Sequence, residues 1–204
     1  MKFRLHPVLL PVFLFLMVTG GFSAYALIFF SLLLHEVGHL LAAKFTGMRV
    51  RSCTIMPYGG ELVIPGRLLA PKKDRLLVAM GGPIATLIVL ITAWVVSFPG
   101  DDLFIRIQVA LLVLNLLPIL PLDGGQALAA ILETKGTEHS TRTAMLIHSM
   151  FFLSVVIVLL FTHLPVSIPY ILLALFLLIQ NISSYRFRKY EKAYTDLKLK
   201  QLTR

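Results

Sequence analysis

The sequence predicts an all-α polytopic membrane protein, with about six transmembrane helices and a small β-hairpin region on the cytoplasmic side between the second and third. Three observations predict it. Hydrophobic residues make up 57% of the 204 positions and charged ones 14%, with a mean hydropathy of +0.85, whereas about a quarter of an average soluble domain is charged. Apolar runs close to the length of a bilayer crossing recur along the chain, divided by glycine, proline or charge. Basic residues collect in alternate intervals between those runs, which gives the runs an orientation.

The spans are expected at 7–22, 24–45, 76–98, 103–117, 143–161 and 168–185. The opening MKFRLHPVLLPVFLFLMVTGG has the charged start and apolar body of a signal peptide. No small-x-small cleavage site follows it cleanly and the chain stays apolar, so it reads as a retained span. The first, fourth and sixth spans are short, and cross by local thinning or with polar ends tucked against protein. Residues 46–75 are not a span. Short β-branched stretches surround a Tyr58-Gly59-Gly60 turn signal and a closing Pro65-Gly66, the pattern of a hairpin of two or three short strands. Leu62, Val63 and Ile64 could dip to membrane depth wherever protein covers their backbone. The expected organisation is a membrane-embedded domain over 1–185 and a basic cytoplasmic tail over 186–204, helical and suited to an anionic lipid surface.

The formal charge of +9 does not indicate nucleic acid, because the basic residues fall between spans. With a cytoplasmic N-terminus, one side collects Lys2, Arg4, Lys44, Arg49, Arg51, Arg67, Lys72, Lys73, Arg75, Lys135, Arg142 and the tail. The other side keeps Arg106 beside Asp101 and Asp102. The excess of Lys and Arg places both termini in the cytoplasm of a multi-pass cell-membrane protein. The single Cys53 excludes an internal disulfide.

Chemistry enters at SLLLHEVGHLLAAKF, residues 31–45, where two histidines and a glutamate interrupt an apolar span. An ionisable side chain near the bilayer centre costs about 2.5–3.5 kcal/mol on insertion scales and is functional by default. His35 and His39 are four apart and share a helix face, a spacing that suits two ligands to one zinc ion. Glu36 lies about 100° around the helix from His35, within reach of a water on the metal without being a ligand. A third protein ligand leaves the fourth position open for water. Asp123, in NLLPILPLDGGQAL, is the best candidate, since two prolines break the helix before it and two glycines let the backbone turn after it. Spacing does not exclude Glu61 or Glu133 as rivals, and Asp123 could instead cap a helix beginning near Gly124. A zinc transporter or metal-sensing membrane protein is the alternative class; it would spread its ligands along a path, and here they concentrate at one depth.

His35-Glu36-x-x-His39 early, and Asn115-x-x-Pro118-x-x-Pro121-Leu122-Asp123-Gly124-Gly125 late, resemble the site-2 protease family of intramembrane zinc metalloproteases. Gly81-Gly82-Pro83 is similar to that family's small-residue Gly-Pro step. The Met-Pro-Tyr-Gly-Gly hairpin and the Pro-Leu-Asp-Gly-Gly form are most similar to the bacterial stage IV sporulation protein FB branch. The resemblance implies zinc held by His35, His39 and Asp123, with Glu36 as general base. It also implies that Asn115 helps position the substrate or the Asp123 segment. Gly60, Leu62, Val63 and Pro121 join Asn115 as substrate-binding candidates. The implied substrate is a membrane-associated or membrane-tethered regulator cut near the cytoplasmic face, in that branch a pro-sigma factor at the membrane around the forespore. Membrane inhibitor or activator proteins, the lipid bilayer and self-association complete the expected partners; nucleic acid is not among them. Sporulation members often carry a cytoplasmic CBS domain after the last span, where this sequence has residues 186–204.

Overall fold

The computed structural model describes residues 2–5, 7, 11, 17–18, 22–56, 59–65, 67–96, 100–134 and 136–202. The chain divides into two compact units, Met1–Leu116 and Leu117–Arg204. The first contains β1 (Lys2–Leu5), α1 (Phe22–Phe45), β2 (Ser52–Met56), β3 (Gly59–Val63), α2 (Lys72–Val95) and α3 (Asp101–Leu116). The second contains α4 (Asp123–Leu132), α5 (Glu138–Phe161) and α6 (Ile168–Leu202).

The expected helical membrane architecture with a small sheet is present. Among the described residues, α1, α2, α5 and the Ile168–Tyr190 part of α6 are long and apolar enough to cross a membrane. The short run at 103–117 is the 16-residue helix α3, about 24 Å long against a hydrocarbon core of about 30 Å. The span expected at 7–22 lies mostly outside the described residues. α6 continues as one 35-residue helix through position 185, so the junction between span and tail has no helix break.

β2 and β3 form the expected antiparallel hairpin, with Cys53 opposite Leu62 and Met56 opposite Gly59. That register corrects one detail. Gly59 and Gly60 are strand residues rather than the turn, because the ladder already closes at Met56. The sheet also has a third strand, in the order β1-β2-β3. β1 pairs parallel to β2, with Lys2 opposite Ser52 and Leu5 opposite Ile55. No local pattern announces so short a strand whose partner lies about fifty residues away and pairs in parallel.

α1 stops where its own sequence stops it. Gly47 adopts φ +70, a left-handed conformation that glycine takes at no steric cost. Its N–H then reaches the Lys44 carbonyl at 3.2 Å, while that of Met48 reaches Ala43 at 2.9 Å, the paired bonds of a Schellman ending. The chain is turned back so that Met48 and Val50, with Ile64 after the hairpin, pack on Ala42, Ala43 and Val78.

α1 and α2 cross backbone to backbone. A Cβ on Gly38 would collide with the Gly81 carbonyl, and one on Gly81 would lie 2.7 Å from the Gly38 carbonyl and 2.8 Å from Ala42 Cβ. Lipid tails are as apolar as leucine, so helices associate in membranes through close packing of this kind. The crossing sets one α2 face directly against His35 and His39. In the second unit, α5 and α6 pack through Leu153, Ile157, Ala174 and Leu177 around Ile119, which precedes α4.

Candidate metal centre

His35 and His39 occupy successive turns of one face of α1, 3% and 7% exposed, with their rings edge to face at 4.8 Å between centroids. α2 holds both rings from behind. His39 Nδ1 lies 2.7 Å from the Val78 carbonyl, which can only accept, so that nitrogen carries the proton and Nε2 is left bare. The Gly82 amide is also near Nδ1, at 3.3 Å; a protonated nitrogen cannot accept from it, and the shorter contact decides. His35 Nδ1 lies 2.9 Å from the buried Thr86 hydroxyl, which suits either tautomer. When His35 donates Nδ1–H to Thr86, its Nε2 too is bare, 3.2 Å from that of His39.

In that tautomer two bare lone pairs face each other in a buried site and repel unless a cation lies between them; in the other, His35 Nε2–H donates to His39 Nε2. The separation also fits the ion. Two nitrogens each about 2.05 Å from a tetrahedral zinc are about 3.3 Å apart. Room for it comes from Gly82, where a Cβ would collide with the Nε2 atoms of both histidines. Val78, Gly82 and Thr86 recur every fourth residue and form one face of α2, so each supports the histidine pair in its own way.

Glu36, next to His35, is half buried. It lies close enough to β2 for its charge to act on Cys53, whose thiol is pushed above its ordinary pKa first by burial and then by Glu36. On the far side of His35, Gln108 of α3 donates to Ser31 Oγ at 2.8 Å, and Ser31 donates to the Leu27 carbonyl at 2.8 Å.

In the second unit Asp123 is the first residue of α4 and is buried. Leu122 is the capping residue and contributes no side-chain bond. Gly125 is required where it stands, because a Cβ there would run into the Ile119 carbonyl group and approach Leu120 N to 2.6 Å. Of the rival carboxylates, Glu133 is buried just past the opposite end of the same helix, and Glu61 belongs to β3.

Among the substrate-binding candidates, Asn115 donates its Nδ2 to its own helix at the Leu111 carbonyl, 3.0 Å away. Gly60, Leu62 and Val63 lie on β3, which among the described residues is paired with β2 alone. Pro121 is exposed, and its carbonyl accepts from Gln126 Nε2 at 2.7 Å. Thr86 and the Val78 carbonyl were not anticipated from sequence. The available signal was a threonine four residues after a glycine in α2.

Residues 23–104 and 102–158 match the sequence model of Peptidase family M50. The chain belongs to peptidase family M50. Its M50 relatives include stage IV sporulation protein FB of Bacillus subtilis, 26% identical over 93% of this chain and 68% of the relative. A zinc metalloprotease of Methanocaldococcus jannaschii is 31% identical over 87% of this chain and 54% of the relative, so the chain spans about half of that protein's length. The solved structure of a site-2 protease from Methanocaldococcus jannaschii aligns over 90% of each chain, with a TM-score of 0.68 at 25% identity. This M50 protein is therefore a membrane zinc metalloprotease whose substrate is a membrane protein. It stands with peptidases rather than with the metal transporters considered from sequence.

Proposed function

We propose that this M50 protein hydrolyses a peptide bond in a membrane-tethered regulatory protein near the cytoplasmic face, and that in a sporulating cell the substrate is a pro-sigma factor at the forespore membrane. His35, His39 and Asp123 hold the zinc, and Glu36 is the general base. The observation carrying this reading is the pair of imidazole Nε2 atoms facing each other at 3.2 Å with Nδ1 partners on α2 behind both. The sporulation relative is distant, so the substrate assignment rests on the resemblance of the Pro121-Leu122-Asp123-Gly124-Gly125 form and of the hairpin to that branch.

When bound, zinc supplies Lewis acidity, drawing the pKa of water toward about 7 and polarising the scissile carbonyl. The protein does the rest. The Val78 carbonyl fixes the tautomer of His39 and Thr86 holds the orientation of His35, as hydrogen-bond partners behind metal ligands do. Glu36 takes the proton of the attacking water and returns it to the leaving amine. A substrate helix hides its amides in its own hydrogen bonds and must be opened before any of this. The outer edge of β3, at Gly60, Leu62 and Val63, receives the opened segment as an added strand. Asn115 and Pro121 border the substrate path. The basic intervals orient the chain with both termini in the cytoplasm.

The test is co-expression with a membrane-tethered pro-sigma factor, following its processing. The intact protein is expected to release the shortened product. Glu36→Gln, with zinc content unchanged, and the intact protein with a zinc chelator are expected to release none. Processing that persists in Glu36→Gln would overturn the mechanism.

A further inference from the structure

Asp123 follows a non-helical stretch whose two prolines, Pro118 and Pro121, have no N–H to offer. Inside a bilayer each unpaired backbone group costs several kcal/mol, so the peptide groups of this stretch need partners. At Leu120 both come from the side chains of other helices. The Leu120 N–H donates to Ser149 Oγ of α5 at 2.8 Å, and that hydroxyl donates onward to the Met145 carbonyl at 2.7 Å. The Leu120 carbonyl accepts from Asn181 Nδ2 of α6, which also donates to the Leu177 carbonyl at 2.9 Å. Beneath the same peptide, Gly125 lets the first turn of α4 lie flat against Ile119 and Leu120. The residue three positions before the carboxylate is thus gripped at its N–H, at its carbonyl and from below.

Fold stability alone does not account for the grip. Ser149 and Asn181 are 0% and 1% exposed, in a seam otherwise filled by Leu146, Leu153, Ile157, Ala174 and Leu177. Among the described residues Asn181 Oδ1 has no hydrogen-bond partner in that buried seam, a cost that leucine would not carry. A side chain kept at such a cost has work to do, and what it holds is the peptide that sets the start of α4.

We propose that Ser149 and Asn181 are positioning residues for the Asp123 carboxylate: they clamp Leu120 and so fix the third zinc ligand before the metal arrives. This rests on the assignment of Asp123 as a ligand made above. Ligands held in advance bind more tightly, and removing a group that orients a metal ligand typically weakens affinity about 10–100-fold.

The test uses the full chain in detergent, with zinc affinity measured by competition against a chromogenic chelator and Co2+ as a spectroscopic probe of the ligand set. Melting of the metal-free protein serves as the control for folding. Asn181→Leu and Ser149→Ala are expected to stay folded without metal but to melt below the parent, because each leaves one Leu120 backbone group without its partner. Both are expected to bind zinc about tenfold or more weakly and to give an altered Co2+ d–d spectrum, while Ser149→Thr, which restores the hydroxyl, recovers both readouts. Parental affinity and spectrum in Ser149→Ala would overturn the clamp even if Asn181→Leu failed to fold. The same loss of affinity in Leu153→Ala, a variant of the same seam that keeps both hydrogen bonds to Leu120 and also melts lower without metal, would overturn it too. Asp123→Asn, measured in parallel, separates the two assignments: parental affinity there removes the ligand and the clamp together, whereas weakened binding there with parental affinity in Ser149→Ala removes only the clamp.

Discussion

Gly82 faces His35 so closely that a Cβ at position 82 would lie 2.6 Å from His35 Cε1 and collide with the Nε2 atoms of both histidines. The absent side chain is the space in which a metal fits. Gly82→Ala is therefore expected to lose zinc, whereas Gly47→Ala strains only a left-handed turn, with nothing among the described residues within 4 Å of its Cβ, and keeps it. Metal analysis of the two purified variants checks this.

Thr86 governs His35 through one hydrogen bond of 2.9 Å. Thr86→Val keeps the shape and removes the hydroxyl. Zinc affinity is expected to fall about 10–100-fold, and Thr86→Ser to restore most of it, as read by chelator competition.

Proline has no N–H to give and breaks the extended pairing of a strand. Leu62→Pro or Val63→Pro, on the β3 edge, is expected to reduce cleavage of a membrane substrate strongly while zinc content stays at one per chain. Undiminished cleavage in both variants would rule out the added-strand mode.

The Cys53 thiol is raised first by burial and then by the Glu36 charge. A raised pKa means less thiolate at neutral pH, hence slow alkylation that accelerates only as pH climbs beyond the ordinary thiol range of about 8.5. Glu36→Gln removes one of the two causes, so the midpoint of the rate-against-pH curve is expected to move down. An unchanged midpoint would contradict the closeness of Glu36 to β2.

What the sequence made legible divides by distance along the chain. His35, Glu36 and His39 could be placed because helical spacing alone fixes their shared and offset faces. Four of the six expected spans were readable from apolar length, and the hairpin from β-branched residues. The turn was misplaced because glycine usually marks one, yet Gly59 and Gly60 are drawn into the ladder once Cys53 pairs with Leu62. β1 was invisible because parallel pairing across about fifty residues leaves no local periodicity. Thr86 and the Val78 carbonyl act on residues about forty to fifty positions away; the threonine is an ordinary type for a membrane helix, and a backbone carbonyl has no letter in the sequence.

The contact of Gly38 with Gly81 bears on how a substrate gets in. Helices whose main chains touch have no slack between them, and parting them would open a void that neither lipid nor side chains could fill at once. That joint therefore works as a rivet rather than a door. If a substrate helix enters sideways, as the proposed function requires, it does so along some other seam, leaving α1 and α2 to carry the histidine pair as one block.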